Sequence, residues 1–110
     1  MWQVTLLKNI NKMKAWIYLT ANKKNGVIYT GVTTELKHRI ESHKNKKYKN
    51  AFTARYNVGK LIYFEEFDSI ITARAREKQL KAGSRAKKVK LVESLNPEWK
   101  DLYYEVCKNI

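Results

Sequence analysis

Apolar and polar positions along this chain follow two periods, one that fits strands and one that fits helices. Ala15 to Thr20 (AWIYLT) and Val27 to Val32 (VIYTGV) are short runs dense in β-branched and aromatic residues, the composition of strands. Between them Ala21 to Gly26 ends in Asn25-Gly26, the strongest short-range hairpin signal, so two strands joined by a turn are expected. Along the second strand Tyr29 and Gly31 fall on one side and Ile28 and Thr30 on the other, because side chains alternate across a strand. The period then lengthens: Leu36 and Ile40 repeat at a helical interval, with Thr33 or Thr34 as the expected cap. Leu61 to Phe67 (LIYFEEF) predicts a third strand, with Leu61, Tyr63 and Glu65 on one face and Ile62, Phe64 and Glu66 on the other.

Helical spacing takes over again after Phe67. A second helix, capped by Asp68 or Ser69, is expected to run to about Ala82 and stop at Gly83. Ser84 caps a third, RAKKVKLVESL, whose buried stripe is predicted as Val89, Val92 and Leu95. Asn96-Pro97 predicts a cap followed by proline at the first position of a short terminal helix through Trp99, Leu102 and Tyr103, with Trp99 as its anchor. Lys44 to Lys49, basic and polar around Tyr48, is expected to be a solvated loop, and Ala51 to Asn57 a helical turn closing at Gly59. The order strand, strand, helix, strand, helix, helix predicts an α/β fold: a small three-stranded sheet flanked by helices.

Composition narrows the function. A chain of 110 residues with 44% apolar content suits one domain, expected over residues 13–110 with 1–12 as a flexible extension. No run of about eighteen apolar residues is present, which excludes a membrane-spanning helix. The amino terminus lacks a secretory pattern and Cys107 has no partner cysteine, so a cytoplasmic setting is expected. Twenty-three Lys and Arg against ten Asp and Glu give a net charge of +13, a bias that points to a polyanionic partner, nucleic acid first. The basic residues around Tyr48 suit backbone and base contacts to such a partner.

Two sets of residues carry candidate chemistry. Arg39 and His43 are four apart and share one helix face, beside strands that carry Tyr18 and Tyr29. On the second helix Ile70, Ala73, Glu77 and Leu80 form one stripe, and Glu77 stands where the pattern asks for an apolar residue. A carboxylate there needs a cation, a donor or a metal ion. An ion pair with Arg74, Arg76 or Lys81 answers that need; so does a hard divalent ion, which often takes only one or two protein carboxylates at a phosphate. Zinc has no support, because Cys107, His38 and His43 show no ligand spacing.

These residues resemble the GIY-YIG endonuclease superfamily, in particular its small single-domain bacterial branch. Trp16-Ile17-Tyr18 matches the first signature with tryptophan for the leading glycine, and Tyr29-Thr30-Gly31 the second with threonine for isoleucine. Tyr18 and Tyr29 stand eleven apart, Arg39 follows Tyr29 by ten, His43 comes four later and Glu77 lies on a subsequent helix, as in the family. KHRIESHK, FTARYNV, LIYFEEF, AREKQLKAGSRAKK and NPEW extend the resemblance over about Lys14 to Leu102. It implies a GIY-YIG-like domain and a metal-dependent endonuclease acting on nucleic acid, DNA ahead of RNA, with low sequence specificity. It also implies a catalytic set of Tyr18, Tyr29, Arg39, His43 and Glu77: the tyrosines line the centre, Tyr29 or His43 acts on the water, Arg39 holds the phosphate and Glu77 ligates Mg2+ or Mn2+. Lys44, Lys46, Lys47, Lys49, Lys81, Arg85, Lys87 and Lys88 are the expected nucleic-acid contacts. A further polar site residue of the family has Lys81, Ser84, Arg85 and Lys87 as candidates. Val32 replaces a lysine that some relatives carry. The competing expectation is a non-catalytic nucleic-acid-binding module that keeps the fold.

Overall fold

The computed structural model describes residues 13–45 and 57–109. Among these residues the elements are β1 (Ala15–Ala21), β2 (Ile28–Thr33), α1 (Leu36–Lys44), β3 (Lys60–Phe67), α2 (Ile70–Ala82), α3 (Arg85–Leu95) and α4 (Tyr103–Asn109). The strands form one antiparallel sheet in the order β2-β1-β3. Every residue of the central β1 is buried, as its run of apolar residues requires. The fold is α/β, as its order of elements predicts. The extension 1–12, Lys46, Lys47, Tyr48 and Lys49, and the stretch 51–56 lie outside the described residues.

The β1–β2 hairpin closes through Asn22, whose Oδ1 accepts the Val27 N–H at 2.9 Å, and through the Gly26 N–H to the Lys23 carbonyl at 3.0 Å. Asn25 takes the left-handed conformation (φ 61°). Gly26 follows it because a Cβ there would lie 1.9 Å from Asn22 Oδ1.

Each face of the sheet buries one apolar layer. Ala15, Ile17, Leu19 and Ala21 of β1 pack with Ile62 and Tyr63, with Ala73 and Leu80 of α2, with Val92 of α3 and with Trp99. Trp16 and Tyr18 face the other way, toward Leu36 and Ile40 of α1, Leu61, and Val106 of α4. Trp16, in place of the signature glycine, is therefore core beneath α1.

Strict alternation fails on β3. Its register against β1 slips between Leu19 and Thr20, so that Leu19 pairs with Tyr63 but Thr20 with Leu61. Ile62 is the extra residue of this bulge, and it shares a face with Tyr63 while Leu61 joins Tyr18 on the other side. The expected grouping of Leu61 with Tyr63 is thereby corrected.

Three further local expectations change. The residue before α1 is Glu35, with no side-chain cap; Thr33 Oγ1 instead accepts the Glu35 N–H at 3.0 Å. Ser69 and Ser84 do cap α2 and α3, accepting the N–H groups of Thr72 and Lys87. Leu95, assigned to the buried stripe of α3, is 77% exposed, because Val89, Leu91 and Val92 already meet the sheet layer. Asn96 ends α3 rather than beginning a helix, and α4 starts only at Tyr103. The Asn96 amide donates to the Ile62 and Lys100 carbonyls, both at 2.9 Å, and its Oδ1 accepts the Lys100 N–H. Trp99, fully buried, anchors this connection with a left-handed backbone (φ 54°) and an indole N–H donated to Glu93 at 2.8 Å.

Candidate active site on the α1 face of the sheet

Register brings the two tyrosines together. Tyr18 pairs with Gly31 and Thr20 with Tyr29, so Tyr18 and Tyr29 share a face on adjacent strands, set diagonally. Gly31 is what lets the Tyr18 ring lie over β2: a Cβ at that position would come within 2.4 Å of Tyr18 Cζ and of its hydroxyl oxygen.

On α1, His43 closes a cluster with both rings. Its centroid lies 5.6 Å from that of Tyr18 and 5.7 Å from that of Tyr29, and the tyrosine centroids are 6.2 Å apart. The Tyr18 hydroxyl and His43 Nε2 share a hydrogen bond of 3.0 Å. Arg39, one turn earlier, is exposed on the same helix.

Electrostatics tie the remaining residues to this hydroxyl. Burial pushes the Tyr18 phenol well above its ordinary pKa, with Tyr29 and Glu77 adding to the rise while Arg39 opposes it through charge and hydrogen bonding. Tyr18 therefore stays protonated at neutral pH. Burial, reinforced by the Arg39 charge, lowers His43 to about 4, so the imidazole is neutral. Glu77 acts on the Tyr18 hydroxyl from α2, which packs against β1 and β2. The structure thus brings Tyr18, Tyr29 and His43 together, with Arg39 one turn before His43 on α1, while Glu77 stands on α2, whose apolar residues pack on the opposite face of the sheet.

Glu77 has the ion-pair partner that its position demands. Lys81 Nζ lies 3.2 Å from Glu77 Oε2, with the lysine 53% and the glutamate 19% exposed. Arg76 turns instead to Glu65, donating from Nε and Nη2 at 3.0 Å each. Among the described residues no group of three or more His, Cys, Asp or Glu could hold a metal. One half-buried carboxylate with an exposed, exchangeable lysine partner does fit a hard divalent ion completed by phosphate and water oxygens.

The basic candidates separate by partner. Lys44 is bound by Asp101 and lies over the Tyr103 ring, 5.2 Å from its centroid. Arg85 donates to the Asn25 and Gly26 carbonyls at 3.0 and 2.7 Å, fastening α3 to the hairpin. Of the candidates for a further polar site residue, Ser84 is engaged as a cap and Lys81 is the one that reaches Glu77. Lys87 is exposed and Lys88 half-buried on the first turn of α3. A cleft of about 330 Å³ beside His43, lined by Asn22, Asn57, Lys60 and Asp101, had no signal in the sequence, because its walls come from four separate segments.

A family model for the GIY-YIG catalytic domain matches residues 14–91. A UPF0213 protein of Syntrophus aciditrophicus is 37% identical over 71 residues, 64% of this chain and 80% of that protein. A UPF0213 protein of Staphylococcus haemolyticus is 38% identical over 81 residues, 73% of this chain and 95% of that protein. A solution NMR structure of a UPF0213 protein from Bacillus halodurans aligns over 81% of this chain and 93% of its own, at 30% identity and a TM-score of 0.49.

Proposed function

The chain belongs to the GIY-YIG catalytic-domain family, among its UPF0213 members, and from that premise we propose that it is a divalent-metal-dependent endonuclease hydrolysing phosphodiester bonds, DNA ahead of RNA, in the cytoplasm. One observation carries the reading: the ring centroids of Tyr18, Tyr29 and His43 lie within 6.2 Å of one another, with the exposed Arg39 one turn before His43 on the same helix.

Arg39, exposed beside the cluster, binds the scissile phosphate and neutralises its charge. Tyr18, held protonated, fixes the His43 imidazole through its hydroxyl. His43 then takes a proton from the attacking water, directly or through Tyr29. An imidazole whose conjugate acid has a pKa of about 4 is a weak proton acceptor in the free protein. The phosphate's negative charge offsets Arg39 and moves His43 back toward its ordinary range. Water oxygen bonds to phosphorus, the bond to the leaving oxygen breaks, that oxygen takes up a proton from solvent, and His43 releases its own proton to solvent. Glu77 would hold a divalent ion, Mg2+ or Mn2+, which would supply neutralisation of the charge that develops in the transition state. Lys81, Lys87 and Lys88, with Lys46, Lys47 and Lys49, hold the nucleic-acid backbone. Such contacts carry no sequence information, so specificity is low.

A second reading, a binding module without turnover, draws on Lys81 already occupying the Glu77 carboxylate. Supercoiled plasmid separates the two. With Mg2+ or Mn2+ the endonuclease converts it to nicked circles, EDTA stops the reaction, and Arg39→Ala and Glu77→Ala lack it while folding normally. A binding module leaves plasmid intact in every ion, with salt-sensitive binding unaltered in both variants.

A further inference from the structure

His43 sits in the last turn of a nine-residue helix, a length that is marginal without tertiary support. The apolar anchors of α1, Leu36 and Ile40, both precede that turn. Beyond Ile40 only Ser42 is buried, and its hydroxyl bonds back to the His38 carbonyl of the same helix. Besides the contacts of the His43 ring with Tyr18 and Tyr29, what grips the last turn comes from residues 101–103. The Tyr103 phenol donates to Glu41 Oε1 at 2.7 Å, and Asp101 Oδ2 accepts the Lys44 ammonium, which also covers the Tyr103 ring. Glu41 and Lys44 bracket His43 in sequence. The grip is itself fastened to the sheet: Asp101 Oδ1 accepts the N–H groups of Leu61 at 3.2 Å and Tyr103 at 3.0 Å, and the Leu102 N–H donates to the Leu61 carbonyl at 2.7 Å.

We infer that Asp101 and Tyr103 form a positioning clamp that sets the rotation of the final turn of α1, and so the place of the His43 imidazole against Tyr18 and Tyr29. The clamp lies beyond residues 14–91, the span that the family model matches. It deepens the nuclease reading, since it matters to turnover only if His43 works there. Neither residue touches the reacting atoms; both act through His43. Lys44 accordingly belongs to the clamp rather than to the nucleic-acid surface.

The test is made on the full chain, free of metal and nucleic acid, by NMR of the His43 ring in Tyr103→Phe and Asp101→Asn. Tyr103→Phe removes one oxygen and keeps the ring, so it decides alone if Asp101→Asn does not fold. Loosening the turn exposes the imidazole, so its resonance shifts and its pKa climbs from about 4 toward 6.5. In cleavage assays kcat falls between about ten- and a hundredfold with KM little changed, the scale on which small misplacements act. Glu41→Ala/Tyr103→Phe is no worse than either single change, because both remove the same bond. Unaltered His43 resonance and titration in folded Tyr103→Phe overturns the clamp. The NMR readout needs no turnover, so failure of the nuclease reading leaves a separate signature: a shifted His43 in variants of a protein that never cleaves.

Discussion

Gly31 lacks a side chain because Tyr18 fills the space where one would stand. Gly31→Ala must displace the ring, and overpacking of this kind costs ~1–3 kcal/mol. Denaturant titration is expected to show that loss, and cleavage to fall further than stability does, since the displaced phenol releases His43. A fully active, equally stable Gly31→Ala would mean that the Tyr18 ring does not lie over Gly31. His43 makes a second prediction at this scale. Its pKa is about 4 in the folded chain against 6.5 for a free imidazole. Between those values the unfolded chain binds more protons, so stability is complete above pH 6.5 and declines as pH falls toward 4. His43→Gln is expected to flatten that segment of a melting-temperature profile; an unchanged slope would assign the proton uptake to other groups. The shared faces of Tyr29 with Gly31 and of Arg39 with His43 were legible in the sequence, because periods of two and four assign faces within one element; the meeting of Tyr18 with Tyr29 was not, since it follows from the register between two strands. The place of Glu77 was not either: it depends on how α2 crosses the sheet, and only the family resemblance assigns it to the site.

Among the elements, α2 sets where Glu77 stands, and the Glu65–Arg76 pair sets α2 on β3. Burial alone would push the Glu65 carboxyl up, but hydrogen bonds from Arg76 and Tyr63 overcome it and hold the group below its usual range. Arg76→Met leaves that carboxylate half-buried beside Tyr63, so a loss of ~1–3 kcal/mol is expected in thermal or chemical melts. Stability within ~0.5 kcal/mol of the parent would show the pair to be an ordinary surface contact. Sequence patterning found the strands and α1 to α3 because each has an apolar face to bury. It misread the end of α3 for a physical reason. Asn96-Pro97 carries the residues of a helix start, yet the Asn96 amide is taken by Ile62 on β3, and a proline just past a helix end also stops a helix. The β3 bulge was equally hidden, since LIYFEEF alternates on paper and only its pairing with β1 shows Ile62 to be the extra residue.

At the scale of the molecule, the sheet separates two tasks. One face buries the layer beneath α2 and α3, and the other holds the tyrosines under α1, braced by the segment that leads into α4. A net charge of +13 draws a polyanion to this scaffold, and its binding is expected to weaken steeply with salt, as contacts to phosphates do. The most direct test of the whole account follows binding and cleavage of one fluorescent duplex in the same tube, wild type beside Glu77→Ala, as Mg2+ or Mn2+ is added at a salt concentration where both proteins saturate. Equal binding with cleavage by the wild type alone is the predicted result. A wild type that stays bound and never cleaves in either ion, or a Glu77→Ala that cleaves as fast, would contradict it.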